Sequence, residues 1–336
     1  MSARAVIVGC SGPELLPDEA AFFRDSGPWG FILFARNIKS REQVIELVDS
    51  LRASVGRDSA PVLIDQEGGR VARLTPPVWR AAPPAATLGE LYGRNPDAAR
   101  EACYINARLL AEELAGLGVT VNCAPVLDVP APGSHTVIGD RAFASDAKIV
   151  AELGQSMCEG LLAGGVLPVI KHIPGHGRAM ADSHHDLPQV TAALDELRRS
   201  DFAPFRALSD MPLAMTAHVA YMVLDGATPA SLSPKIINGI IRGEMEFGGV
   251  LMCDDLGMAA LTGDFAERAR RALSAGCDVV LHCSGVMSEM RAVMKACPAL
   301  AGTAAVRCAA ALARLRLPDS FDAAGAQARL IALLES

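Results

Sequence analysis

Residues 166–188 read VLPVIKHIPGHGRAMADSHHDLP. An apolar run stops abruptly at Lys171 and His172, and Pro174, Gly175 and Gly177 then break up the chain before it ends in ADSHHD. A short apolar run bounded by Gly and Pro fits a buried strand, and the polar residues beyond it form the loop at its C-terminal end. Four of the chain's seven histidines sit in this one loop, with Asp182 and Asp186 beside them.

The same unit recurs in both directions from here. Candidate strands cover 5–9, 30–34, 61–64, 119–125, 167–170, 213–217, 249–253 and 278–281, and amphipathic stretches lie between them. One is SREQVIELVDSLRASVG, where Ser40 and Gln43 are spaced as a capping box. Another spans 98–117, with Ile105, Leu109, Leu110, Leu114 and Leu117 at helical spacing. Strand and helix alternate with no long flexible linker. This predicts one α/β domain over 1–336, a single (β/α)8 TIM barrel with extra C-terminal helices near 303–314 and 323–334 packed outside it. The Pro-rich segment 75–86 is expected as a long loop after the third strand.

Composition agrees. The chain has 336 residues, 51% hydrophobic but only 4% aromatic, so its core is aliphatic, as buried parallel strands and Ala-rich helices require. A net charge of −7 with no basic cluster argues against nucleic acid or an anionic membrane as partner. The opening MSARAVIVGCSG has too short an apolar run for a signal peptide, and no segment reaches membrane-spanning length. The nine cysteines include no CxxC pair and several lie in apolar runs, which fits reduced thiols. A soluble cytoplasmic protein is expected, and a monomer.

In such barrels chemistry gathers where strands end and loops converge. The third strand ends in DQEGGRVAR, placing Asp65, Gln66, Glu67, Arg70 and Arg73 there. These are ligand contacts or a salt-bridged turn. Arg141 lies in the loop after the fourth strand. Lys171 and His172 end the fifth and should face opposite sides of it. Asp182 and His184 stand two apart in a spacing that suits a carboxylate-oriented imidazole or a capped turn. The histidines match no HExxH spacing, which leaves a metal site as the weaker reading. His218 after the sixth strand suits a supporting place. The seventh strand ends in CDDLGM, and of its adjacent carboxylates Asp254 and Asp255 one must face the barrel axis. A carboxylate there needs cationic company, and it is the best nucleophile candidate in the chain.

Taken in order, GFILFARN, DQEGGRVAR, APVLDV, KHIPGHG with DSH, AHV and CDDLGM resemble the family 3 glycoside hydrolases, in particular their single-domain bacterial β-N-acetylglucosaminidases. The resemblance covers about 5–285 and implies a retaining double displacement. It makes Asp254 the nucleophile, His184 the general acid/base and Asp182 its polarising partner. It assigns Asp65, Arg73, Arg141, Lys171 and His172 to the grip on N-acetylglucosamine, and Asp255 to a neighbouring place. No cofactor or metal is implied; the partner is a small carbohydrate, a muropeptide fragment ending in 1,6-anhydro-N-acetylmuramic acid. Within the family the alternative is a phosphorylase using phosphate in place of water, and outside it a metal-dependent hydrolase built on the histidine loop. Cys253 and the GDRAF segment depart mildly from the family pattern, and His185 is expected to be solvated or structural.

Overall fold

The computed structural model describes residues 3–183 and 186–336. Its strands in chain order are β1 (Arg4–Val8), β2 (Pro28–Leu33), β3 (Val62–Ile64), β4 (Val121–Asn122), β5 (Leu167–Ile173), β6 (Gln189–Val190), β7 (Leu213–Thr216), β8 (Ala220–Tyr221), β9 (Val250–Asp255) and β10 (Val279–His282). Eight of them close into a parallel barrel in the order β1-β10-β9-β7-β5-β4-β3-β2, the expected (β/α)8 architecture. β6 and β8 pair separately, with Gln189 opposite Ala220. Two residues a side leave no periodicity to read, so this pair has no sequence signal.

Alternation along each strand sorts the core into two layers. Ile7, Ile32, Leu63, Val121, Val169, Met215, Met252 and Leu281 point inward and fill the barrel. Their neighbours, among them Val6, Phe31, Val62, Ile170 and Leu251, point outward and pack under the helices. Each fully buried side chain of this size contributes roughly 1.5–3 kcal/mol.

Three expectations change in detail. The fourth strand was read as 119–125 but its regular ladder covers only Val121–Asn122. Pro125 has no N–H to donate, so its carbonyl alone continues the bonding, accepting from the Lys171 amide at 3.1 Å. The helix Arg41–Val55 starts at Ser40, whose hydroxyl accepts from the Gln43 amide at 3.3 Å. The Gln43 side chain accepts from the Lys39 amide instead of the Ser40 amide, so only half of the capping box forms. The helix Gly302–Leu312 was expected outside the barrel. It instead brings Cys308 and Ala311 into the interior cluster and stoppers the barrel at its N-terminal end. The last helix, Ala323–Leu334, does lie outside, held to the helix Pro96–Ala115 by Arg329 and Glu101 at 2.7 Å.

Among the described residues no helix is long and apolar enough to cross a membrane.

Candidate active site

A cavity of about 270 Å³ opens at the C-terminal end of the barrel. Its floor is the top of the interior core, Ile32, Met215 and Leu281. Its volume lies just under the roughly 300–1,000 Å³ of ordinary ligand pockets, a space for one ring rather than a chain. Asp65, Arg73, Arg141, Lys171, His172, Asp182 and Asp254, seven of the eight residues singled out above, line it together. The eighth, His184, lies outside the described residues, as does His185.

One wall is an ionic lattice. The Lys171 ammonium, 3% exposed, sits between Asp65 Oδ1 at 2.9 Å and Glu67 Oε1 at 2.7 Å. Arg73 reaches Asp65 Oδ2 at 3.2 Å and lies over the Phe34 ring. Arg141 forks onto both oxygens of Glu67, each at 2.9 Å, so it is a buried partner and not a surface ion pair. Burial works against charge on both acids. Lys171 then Arg73 outweigh it at Asp65, holding that carboxyl well below the usual range, and Lys171 then Arg141 outweigh it at Glu67, lowering that one as well. Burial likewise opposes the charge on Lys171, and Asp65 and Glu67 reverse it, raising its ammonium above the ordinary lysine value.

Lys171 and His172 do not face opposite ways as a regular strand would place them. Both line the cavity, and the peptide between them is cis. The register of β5 against β7 slips between Lys171 and Ile173, the kind of irregularity that re-aims a side chain near a site. His172 is held by Asp128, whose Oδ2 lies 2.7 Å from His172 Nδ1. Asp128 Oδ1 accepts from the amides of His172 at 3.1 Å and His176 at 2.6 Å. Burial opposes charge on Asp128, but His172 above all brings its carboxyl down to about 2. With Nδ1 engaged, His172 presents Nε2 as its other ring nitrogen.

At the end of β9, Asp254 and Asp255 diverge. Asp255 Oδ1 accepts from the amides of Cys283 at 3.0 Å and Gly257 at 3.1 Å, which fastens it towards β10. Asp254 lines the cavity with Oδ1 accepting from the Asp255 amide at 2.8 Å. Among the described residues no cationic side chain is ion-paired with it. Burial disfavours its charge, yet the imidazoles of His172 and His218 and the Asp255 amide keep its carboxyl below the usual value. The result is a carboxylate that favours its charged form and faces the cavity. His218, fully buried, bonds Ser231 Oγ at 2.6 Å and the Asp255 carbonyl at 3.1 Å, a supporting position as expected.

The histidine loop is anchored before it reaches the mouth. Arg178 donates to Asp201 at 2.6 Å and to Glu196 at 2.7 Å, and the Tyr221 hydroxyl bonds the Gly175 carbonyl. Gly177 lies flat on the neighbouring strand end, where a Cβ would meet the Val129 carbonyl oxygen at 2.0 Å. Among the described residues no group of three His, Cys, Asp or Glu side chains is placed to hold a metal ion.

Glu67 was read with its neighbours as a ligand contact or part of a salt-bridged turn but was left out of the sugar grip, and Asp128 was not singled out. Glu67 had a signal: Asp65 and Glu67 are two apart, and that spacing sends both to one side of an extended chain. Asp128 had little, because its partners lie 44 and 48 residues further on.

The wild-type protein is expected to lose stability steeply on acidification. Asp65, Glu67 and Asp128 have depressed folded-state values, so their contribution is present above the unfolded carboxylate range near 4 and lost as pH falls through the lower folded values. His176 adds to this one step earlier: burial lowers it to about 4, so the unfolded chain takes up its proton first as pH drops below about 6.5. Thermal melts at pH 7, 5 and 3 should therefore fall at both intervals; a melting temperature flat down to pH 3 would contradict it.

A one-ring cavity at the mouth of a (β/α)8 barrel, with a free carboxylate above an apolar floor and a polar lattice for hydroxyl groups, is the frame of a glycoside hydrolase. The model of the glycosyl hydrolase family 3 N-terminal domain matches residues 19–315, and the chain belongs to that family. It is 40% identical over 283 residues to a β-hexosaminidase of Bordetella avium (strain 197N), a match covering 83% of this chain and 80% of that one. A β-hexosaminidase of Xylella fastidiosa (strain M23) is 39% identical over 284 residues, with 83% of each chain covered. Among solved structures, NagZ from Neisseria gonorrhoeae in complex with N-trifluoroacetyl-D-glucosamine superposes with a TM-score of 0.89 at 31% identity, over 99% of both chains. A family 3 β-N-acetylglucosaminidase from Paenibacillus sp. str. FPU-7 gives a TM-score of 0.81 at 31% identity over 98% of this chain, which spans 61% of that longer one.

Proposed function

We propose that this glycoside hydrolase is a retaining exo-β-N-acetylglucosaminidase that removes terminal N-acetylglucosamine from fragments ending in 1,6-anhydro-N-acetylmuramic acid. The observation that carries this is Asp254: ionised, without an ion pair among the described residues, and facing a cavity sized for one sugar. Support for the sugar comes from the β-hexosaminidase relatives and from the N-trifluoroacetyl-D-glucosamine bound to the gonococcal NagZ.

In the first step an Asp254 carboxylate oxygen bonds to the anomeric carbon as the glycosidic bond breaks, and His184 gives its proton to the departing oxygen. In the second, water attacks the same carbon, His184 takes its proton, and the Asp254 ester is released with the configuration restored. Asp182 keeps the imidazole oriented and favours its charged form. An imidazole suits both halves, because its free pKa already lies near neutrality. Asp65, Arg73, Lys171, Arg141 and His172 offer charge-assisted hydrogen bonds to ring hydroxyls. Their lattice forms one wall of a cavity with room for about one ring, which suits a sugar at a chain end. The nine unpaired thiols suit a reducing cytoplasm.

Proton NMR of a digest tests the stereochemistry. The β anomer of N-acetylglucosamine should appear first and mutarotate later; α product at the outset would exclude a double displacement. The rate should not depend on phosphate, and sugar 1-phosphate formed in its presence would favour the phosphorylase alternative.

A further inference from the structure

Behind Asp255 stands His282, the last residue of β10. Alternation turns Leu281 into the barrel and His282 out under the helices, where it is fully buried. Its Nε2 lies 3.0 Å from Ser284 Oγ and 3.3 Å from Glu289 Oε2. Ser284 donates its own proton to Glu289 at 2.6 Å, so its oxygen is left to accept and the imidazole proton belongs on Nε2. Nδ1 then carries a bare lone pair. It is a buried nitrogen with no hydrogen-bond partner among the described residues, and it stands 3.8 Å from Asp255 Oδ1. An acceptor facing an acceptor is unfavourable in a buried place, and one added proton makes it a donor facing a carboxylate. Burial lowers the affinity of the ring for that proton most. Asp255 on β9 and Glu289 in the helix Met287–Ala296 raise it, and Arg268 in the helix Phe265–Ala275 lowers it again. The balance falls below the ordinary histidine value, so the ring is neutral at pH 7 and above and takes its proton on the acid side. The Phe265 ring packs across it, centroids 5.0 Å apart.

We propose that His282 is a positioning residue for the nucleophile: by taking up a proton between Asp255 and Glu289 it clamps the Asp255 carboxylate, and through the Asp255 backbone it holds Asp254 in place for attack. The proposal rests on the nucleophile reading of Asp254 given above. The link is short. Asp255 Oδ1 already takes the Cys283 and Gly257 amides, and the Asp255 amide donates to Asp254 Oδ1 at 2.8 Å. Whatever fixes the Asp255 side chain therefore fixes the peptide that orients the attacking carboxylate. Glu289, with 31% of its side chain exposed, joins the buried ring to solvent and gives the proton its route.

The burst of dinitrophenol from an activated aryl N-acetylglucosaminide tests this, because that leaving group needs no proton and the burst reads the attack of Asp254 alone. His282→Gln keeps a donor for Ser284 but offers nothing to Asp255. Its burst should be about tenfold slower than wild type at pH 5, the worth of one charge-assisted hydrogen bond, and level with it at pH 8, where the wild-type ring is neutral. Affinity for the glycoside should be unchanged at both. His282→Asn, whose amide N–H can stand where Nδ1 does, should keep the fast burst at either pH. Glu289→Gln removes a negative charge that favours the protonated ring, so the pH at which its burst quickens should shift downwards. A His282→Gln deficit equal at pH 5 and pH 8, no deficit at pH 5, or an unmoved profile in Glu289→Gln would overturn the clamp. Asp254→Asn is run beside them: if it still gives a burst, the nucleophile reading itself fails, and if it abolishes the burst while the His282→Gln deficit ignores pH, only the clamp fails.

Discussion

Asp254→Asn should reduce turnover of an aryl N-acetylglucosaminide by about 10⁴-fold or more, the scale of loss when an enzyme's nucleophile is removed. The amide keeps the side chain's size and can still take the Asp255 amide bond, but it has no charge to stabilise an oxocarbenium-like centre and forms no ester. Affinity for N-acetylglucosamine should change little, because the lattice opposite is untouched. Added azide gives the sharper reading. In Asp254→Ala, where the side chain is cut back, a small anion in the vacated space attacks the anomeric carbon from the same side and yields the α-glycosyl azide by one inversion. Unchanged turnover in the variant would remove Asp254 from the chemistry, and a β-azide product would contradict attack from its side.

Lys171→Met should destabilise the fold by about 3 kcal/mol, the low end of the cost of breaking a buried ion pair. Two carboxylates lose their shared cation, but Arg73 still faces Asp65 and Arg141 still faces Glu67. For a chain of this length that is roughly 4 °C in melting temperature. The sign with pH distinguishes charge from packing. In the wild type Lys171 holds both acids low, so its benefit exists above the ordinary carboxylate range and fades as pH falls through the folded values. In the variant burial acts on both acids with less opposition, and protonation relieves it. The gap between the two proteins should thus be widest near pH 7 and narrow below about pH 4. A gap independent of pH would mean that only packing was lost. The variant should also bind N-acetylglucosamine more weakly, having lost one charged donor to the ring.

The barrel was legible because its evidence is periodic. Apolar runs such as 61–64 and 249–253 end in charge, helical patterns follow, and chemistry gathers at one end of every strand. Most cavity residues were legible for the same reason, standing where an apolar run stops. What escaped depended on distance or on broken regularity. Asp128 sits inside APVLDV as if it simply ended a strand, and only the return of the chain 44 residues later reveals His172 above it. Lys171 and His172 were assigned opposite faces by the strand rule, and the rule fails where β5 loses its register. The β6 and β8 pair and the plugging role of the helix Gly302–Leu312 arise from contacts across the whole chain, which no local pattern encodes.

That helix has a consequence for traffic. Cys308 and Ala311 stopper the barrel below, and the cavity opens at the opposite, C-terminal end, where substrate and product meet. Under the proposed double displacement the departing half of the substrate should clear that mouth before water reaches the sugar left behind, so release should be ordered and free monosaccharide should compete with the next arrival. A short alcohol waiting in the same passage stands where water would, and glycerol or methanol at high concentration should leave wearing the sugar as a β-glycoside.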